Sequence, residues 1–289
     1  MLEKKYEIVQ DAPPAISIDN YINCTMKQYK EMLDNPNMGE KAYQHFFERN
    51  PAFIPGAFEV IGVSGHDPYL GALISQPRVG HDLMRKPDFL WLSNDSLSFC
   101  PVFIEIEDPV KIQFRKDEVP NAKFNQALDQ ITEWRVLLSK DENRKQFFED
   151  YAIPERLRKM VFEPQYVLVY GRRNEYEKND FLRDKRCSLQ RDNIKIMSFD
   201  RLKPSRDVYS FVTVSVSRGK YYVKHIPPTF VYEPLRAENL HQLCGFKEQI
   251  NKIKMISDER RNFLLERYDY WETFGKREHP GLFNAADKE

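Results

Sequence analysis

The residues best suited to chemistry lie between Pro87 and Trp134, which read PDFLWL, a polar SNDS turn, PVFIEIEDP, a charged loop and FNQALDQITEW. Strand side chains alternate faces. Glu105 and Glu107 therefore share a face with Phe103, while Val102, Ile104 and Ile106 line the other. Two carboxylates side by side on a half-buried strand repel, and desolvation makes each charge costlier. A hard divalent cation such as Mg²⁺ removes both penalties, because it selects carboxylate and carbonyl oxygens. Asp88 sits on the preceding strand, and a hairpin through SNDS brings it across the ladder from Glu105. The expectation is a metal site built by Asp88, Glu105 and Glu107. The ordinary alternative is an open-faced strand with its acids in water.

Several elements must position these groups. KFNQALDQITEWRVLL is a helix pattern with Phe124, Leu128, Ile131 and Leu138 on one apolar stripe. Gln126 and Gln130 stand at i, i+4 on another face with Trp134, and Gln126 falls where the strand-to-helix connection returns over Glu105. EKAYQHFFERN is a second helix, stopped by Asn50-Pro51, with Glu48 in its last turn. FEVIGVSG and LGALISQP read as short strands or extended loops. PQYVLVYGRR and NIKIMSFDRL are strands too, so strands alternate with helices in an α/β arrangement. YSFVTVSVSRGKYYVKHIPPTF alternates about Arg218-Gly219 as a hairpin. A long amphipathic helix is expected from Glu238 to Trp271, with Leu243, Phe246, Ile250 and Ile253 on its stripe. Three units follow: 1–39, an arm and short helix; 40–206, the α/β domain; and 207–289, the hairpin and helical extension.

At 289 residues the chain can bury a full core. Its formal net charge is zero, so nucleic-acid binding would have to rest on local asymmetry. Residues 153–206 carry fourteen Lys or Arg against eight Asp or Glu, beside an acidic centre. Arg172, Arg173, Lys185 and Arg186 are the candidates there for DNA-backbone contact, since guanidinium forks match phosphate oxygens. Four scattered cysteines form no CxxC pair and fit a reducing cytoplasm. No apolar run approaches the length of a membrane span.

PD, then E-I-E, then Q-x-x-x-Q on a helix resembles the PD-(D/E)XK nuclease superfamily, in which two acids hold a metal and a third residue activates water. More narrowly, FFERNPAFIPG, KPDFLWL, VFIEIEDP, FNQALDQITEW, VLVYGRR and IKIMSFDRL together resemble Shedu-type antiphage defence proteins over roughly residues 40–205. The resemblance implies a restriction-endonuclease-like core, a mixed central sheet flanked by helices. It implies Asp88, Glu105 and the Ile106 carbonyl as ligands of Mg²⁺, with Mn²⁺ able to substitute. Gln126 takes the helix position, and Glu48 that of an acid offered from the first helix. Glu107 departs from the pattern, which has lysine there; glutamate could serve as general base or further metal ligand. DNA as substrate and a homo-oligomer are also implied. The competing reading is a catalytically inactive nuclease-fold module that binds nucleic acid or a protein partner.

Overall fold

The computed structural model describes residues 5–59, 65–80, 86–277, 284 and 286–289. His81 and most of the apolar run expected as a strand or extended loop over FEVIGVSG lie outside the described residues. Two helices come first, α1 (Ile18–Asp34) and α2 (Glu40–Arg49). The strands β1 (Ala72–Ser75), β2 (Phe89–Asn94) and β3 (Ser98–Ile106) follow. Then come helices α3 (Ala122–Leu138), α4 (Asp141–Asp150) and α5 (Glu155–Arg158). Strands β4 (Val161–Phe162) and β5 (Gln165–Val169), helix α6 (Asp180–Ser188) and strand β6 (Ile194–Met197) complete the α/β alternation. The last part holds β7 (Val212–Ser217), β8 (Lys220–His225), α7 (Pro234–Ala237), β9 (Leu243–Cys244), α8 (Phe246–Ile250) and α9 (Asp258–Gly275).

All nine described strands join one mixed sheet in the order β6-β5-β3-β2-β1-β7-β8-β9, with β4 paired to β3. β2 and β3 form the expected antiparallel hairpin, with Phe89 opposite Ile104. β3 and β5 run parallel, which requires a crossover; helices α3 to α5 provide it. The alternation along β3 divides the interior in two. Phe103, with Leu90 and Leu92 of β2, packs beneath Phe124, Ala127, Ile131 and Trp134 of α3. Val102, Ile104 and Ile106 face the other way, toward Tyr29 of α1 and Phe46 and Phe47 of α2. These rings stack and cross at centroid distances of 5.5–5.9 Å around Tyr29.

The β7–β8 hairpin turns on Arg218 and Gly219, both at positive φ as a two-residue turn requires. β7 also pairs in parallel with β1, so the hairpin extends the same sheet. The helix expected over 238–271 is broken. Gly245 (φ 76°) and Met255 (φ 69°) adopt left-handed backbone that a helix cannot contain. Ser257 then starts α9 afresh by accepting from the Arg260 amide. Among the described residues, no helix is long and apolar enough to cross a membrane.

Gly56 fixes how the loop after α2 sits on the sheet. Its φ is 111°, and a Cβ there would meet Val102 Cγ1 at 2.7 Å. Gly56→Ala is expected to lower stability by about 2–3 kcal/mol through backbone strain and overpacking, read as a lower denaturant midpoint at unchanged slope.

Candidate active site

The β2–β3 register, carried one residue past Phe89, sets Asp88 opposite Glu105. Hydrogen bonds hold the Asp88 backbone on both sides. Its amide donates to the Ile104 carbonyl at 3.0 Å, and its carbonyl accepts from the Gln76 amide at 2.8 Å. Its side-chain Oδ2 accepts from the Ile106 amide at 2.7 Å. The amide and carbonyl of one strand residue point the same way, so the Ile106 carbonyl turns toward Asp88 as well.

Glu105 is buried, at 9% exposure, on the face covered by α3. Its Oε1 accepts from Gln130 Nε2 at 2.8 Å. Its Oε2 is buried with no hydrogen-bond partner. Burial pushes the Glu105 pKa well up, and the charges of Asp88 and Glu107 push it further; the Gln130 amide offsets only part of this. Asp88 responds in the same sense. Burial, opposed by the Ile106 amide and reinforced by Glu40 and Glu107, lifts its pKa to about 7.

The glutamine over Glu105 is therefore Gln130, not Gln126. Four residues advance a helix about 40° beyond a full turn. The face that buries Phe124, Ala127 and Ile131 has Gln130 on its flank and turns Gln126 outward to solvent.

Glu107 takes a different partner. Lys111 Nζ donates to Glu107 Oε2 and lies 3.6 Å from Glu40 Oε2, at the first turn of α2. Burial alone would lower the lysine pKa, but the Glu107 hydrogen bond and the Glu107 and Glu40 charges raise it above its ordinary value. Among the described residues no three His, Cys, Asp or Glu side chains gather at metal-ligand spacing. Of the three acids expected at the site, Glu107 is drawn toward a cation of the chain itself. Two carboxylates and a carbonyl remain. That donor set suits Mg²⁺, which commonly takes one or two carboxylates and completes its shell with water and substrate phosphate.

Glu48 does not join them. It is buried at 4% exposure and accepts from Ser75 Oγ and Lys224 Nζ, with His45 Nδ1 at 3.5 Å from Oε2. Burial raises its pKa, but the Lys224 and Ser75 hydrogen bonds outweigh that and leave it below the usual glutamate range. Glu48 is an ionised structural pair linking α2 to β8; the acid from α2 that acts electrostatically on Asp88 and Glu105 is Glu40.

The basic residues expected along the DNA backbone are mostly engaged inside the protein. Arg172 Nε donates to Asp200 Oδ1 at 2.8 Å and Nη1 to the Leu33 carbonyl at 3.0 Å. Lys185 Nζ donates to the Glu118 carbonyl at 2.8 Å. Arg186 is buried 4.8 Å above the Tyr176 ring, and burial lowers its pKa. Arg173 is exposed. Two members of a different basic group lie close in the chain to Asp88. Arg78, Lys86 and Arg218 line a cavity of about 430 Å³ together with Asp150. Lys86 lies two residues before Asp88, and Arg78 two after Gln76, whose amide holds Asp88. Tyr151 clamps the Arg78 backbone, donating to its carbonyl at 2.9 Å and accepting from its amide at 2.7 Å.

Residues 37–202 match the family described as Shedu protein SduA, C-terminal. The chain belongs to this Shedu family. No curated protein and no solved structure gives a match. The Shedu match spans Glu40, Asp88, Glu105, Glu107, Lys111 and Gln130, but ends before β7 and β8. Lys224, which neutralises Glu48, and Arg218 therefore lie outside the Shedu-matched segment.

The raised Asp88 pKa fixes a pH dependence. An acid with a higher pKa folded than unfolded adds stability in its protonated form; that contribution is whole below the unfolded value of 3.8 and is lost as pH rises through about 7. Asp88→Asn keeps an acceptor for the Ile106 amide and removes the charge. Without metal at pH 8 the variant should exceed the parent in stability by about 1–3 kcal/mol, with the gap narrowing toward pH 5 in thermal melts.

Proposed function

We propose that this chain is a divalent-metal-dependent DNA nuclease of the PD-(D/E)XK type, acting in antiphage defence. One observation carries the reading: Asp88 and Glu105 oppose each other where both are hard to ionise, and Glu105 Oε2 is buried without a partner. Membership of the Shedu family supports the antiphage-defence part of this reading. Mg²⁺, with Mn²⁺ able to substitute, would be held by Asp88, Glu105 and the Ile106 carbonyl. When bound, it supplies an acidified water and polarises the scissile phosphate.

The remaining groups serve that chemistry from the protein side. Gln130 holds Glu105 Oε1 and leaves the buried Oε2 as the oxygen free to take a ligand. Glu107 stands where the superfamily pattern has lysine, and Lys111 restores a positive charge beside it. Lys111 occupies Glu107 Oε2, which leaves Oε1 to receive the proton shed by the attacking water. Arg78, Lys86 and Arg218 hold the phosphodiester backbone in place of the more distant basic residues. Two observations favour the second reading, a binding module without catalysis: the glutamate at position 107 and the lack of a three-acid cluster among the described residues.

Purified protein is expected to nick or cut DNA with Mg²⁺ or Mn²⁺. Asp88→Ala and Glu105→Ala should each reduce cleavage to background while leaving the fold intact by circular dichroism. Full cleavage in EDTA would overturn the metal reading, and DNA bound but intact under every metal would favour the binding module. For the backbone contacts, Arg78→Gln/Arg218→Gln should weaken DNA binding and flatten its dependence on log salt by about two contacts' worth. Lys185→Gln should leave that slope unchanged.

A further inference from the structure

A second cleft, of about 620 Å³, opens between α1, the end of α2, and the stretches that follow β8 and α8. Its charge is one-sided. Arg49, His225, Lys252 and Lys254 line it, and no Asp or Glu does. In a chain with 44 basic and 44 acidic residues such a lining departs from the average. Arg49, Lys252 and Lys254 are not ion-paired among the described residues, whereas Lys224, next to His225, is engaged by Glu48. Burial lowers the His225 pKa, Glu48 pulls it back, and Lys224 and Arg49 lower it further, so the imidazole adds no fixed charge to the lining.

The floor of the cleft is apolar. Tyr21, Ile226 and Ile253 are buried there, and Met255 stands at the rim with 63% exposure. An apolar base ringed by unpaired cations suits a ligand with a flat apolar body and an anionic end. The volume lies within the range of small-molecule sites, about 300–1,000 Å³. The cleft is also separate from the carboxylates. Four strand spacings lie between Glu105 on β3 and His225 on β8, roughly 19 Å at about 4.8 Å each. Apart from Arg49 and Asn50, its lining comes from outside the family-matched residues 37–202.

We propose that this cleft binds a nucleotide, with the phosphates at Arg49, Lys252 and Lys254 and the base against Tyr21, Ile226 and Ile253. The site stands independently of the nuclease reading. The test is isothermal titration of the full chain, without divalent metal, with adenosine triphosphate, inorganic pyrophosphate and a short single-stranded oligonucleotide. Adenosine triphosphate should bind at one site, more tightly than pyrophosphate, which cannot cover the apolar floor. Arg49→Ala/Lys252→Ala should weaken it about tenfold or more, equivalent to about 1.4 kcal/mol or more. Asp88→Ala should leave it unchanged. The proposal is overturned by absence of saturable binding at millimolar nucleotide, or by affinity indifferent to the double substitution. It is equally overturned if the oligonucleotide binds through Arg49 and Lys252 while adenosine triphosphate fails to compete, which would make the cleft part of a nucleic-acid path.

Discussion

Two carboxylates facing each other across a hydrogen-bonded ladder set the terms for everything near them. At the usual cross-strand side-chain separation of about 5 Å, and an effective dielectric of about 20, their repulsion is on the order of 3 kcal/mol. Asp88 and Glu105 cannot move apart, because the Ile104, Ile106 and Gln76 backbone bonds pin one and α3 covers the other. The protein supplies neutral partners, an amide from Ile106 and a carboxamide from Gln130, which orient the oxygens without cancelling their charge. Lys111, a cation that acts on Asp88, is bound to Glu107 and Glu40.

Glu48 shows that this arrangement is not simply how the fold treats buried acids. Glu48 and Glu105 are buried to similar depth on opposite faces of the same sheet. One has a lysine and a hydroxyl and stays ionised; the other has a carboxamide and a second acid and resists ionisation. The difference lies in the partners. The carboxylate that holds α2 against β8 is neutralised by a lysine of the chain, while the one on β3 has only a carboxamide donor beside it.

Much of this was legible in the sequence, because a strand's alternation is a local property. The separation of Glu105 and Phe103 from Val102 and Ile104, the β2–β3 hairpin, the placement of Asp88 and the turn at Arg218-Gly219 all follow from period two and turn chemistry. What the sequence concealed was set by rotation or by distance along the chain. Gln126 and Gln130 differ by about 40° on α3, too small an angle to resolve without knowing how the helix sits. The neutralising partner of Glu48 lies 176 residues away. Arg172, Lys185 and Arg186 read as exposed cations, yet their partners are carbonyls, an aspartate and a ring contributed by distant turns. The unbroken helix over 238–271 followed its apolar stripe faithfully, but one glycine and one left-handed methionine divide it.

The parallel pairing of β7 with β1 carries a practical consequence for anyone trimming the protein. Excising the chain at the limits of the family match would strip β1 of its neighbour and leave its amides and carbonyls bare along Leu73 and Ile74. Such a naked edge invites pairing with other copies. The same cut would remove Lys224 and strand Glu48 in the interior as a solitary anion. A stable fragment should therefore extend well past the family-matched residues, through the hairpin and the β9 strand beyond it.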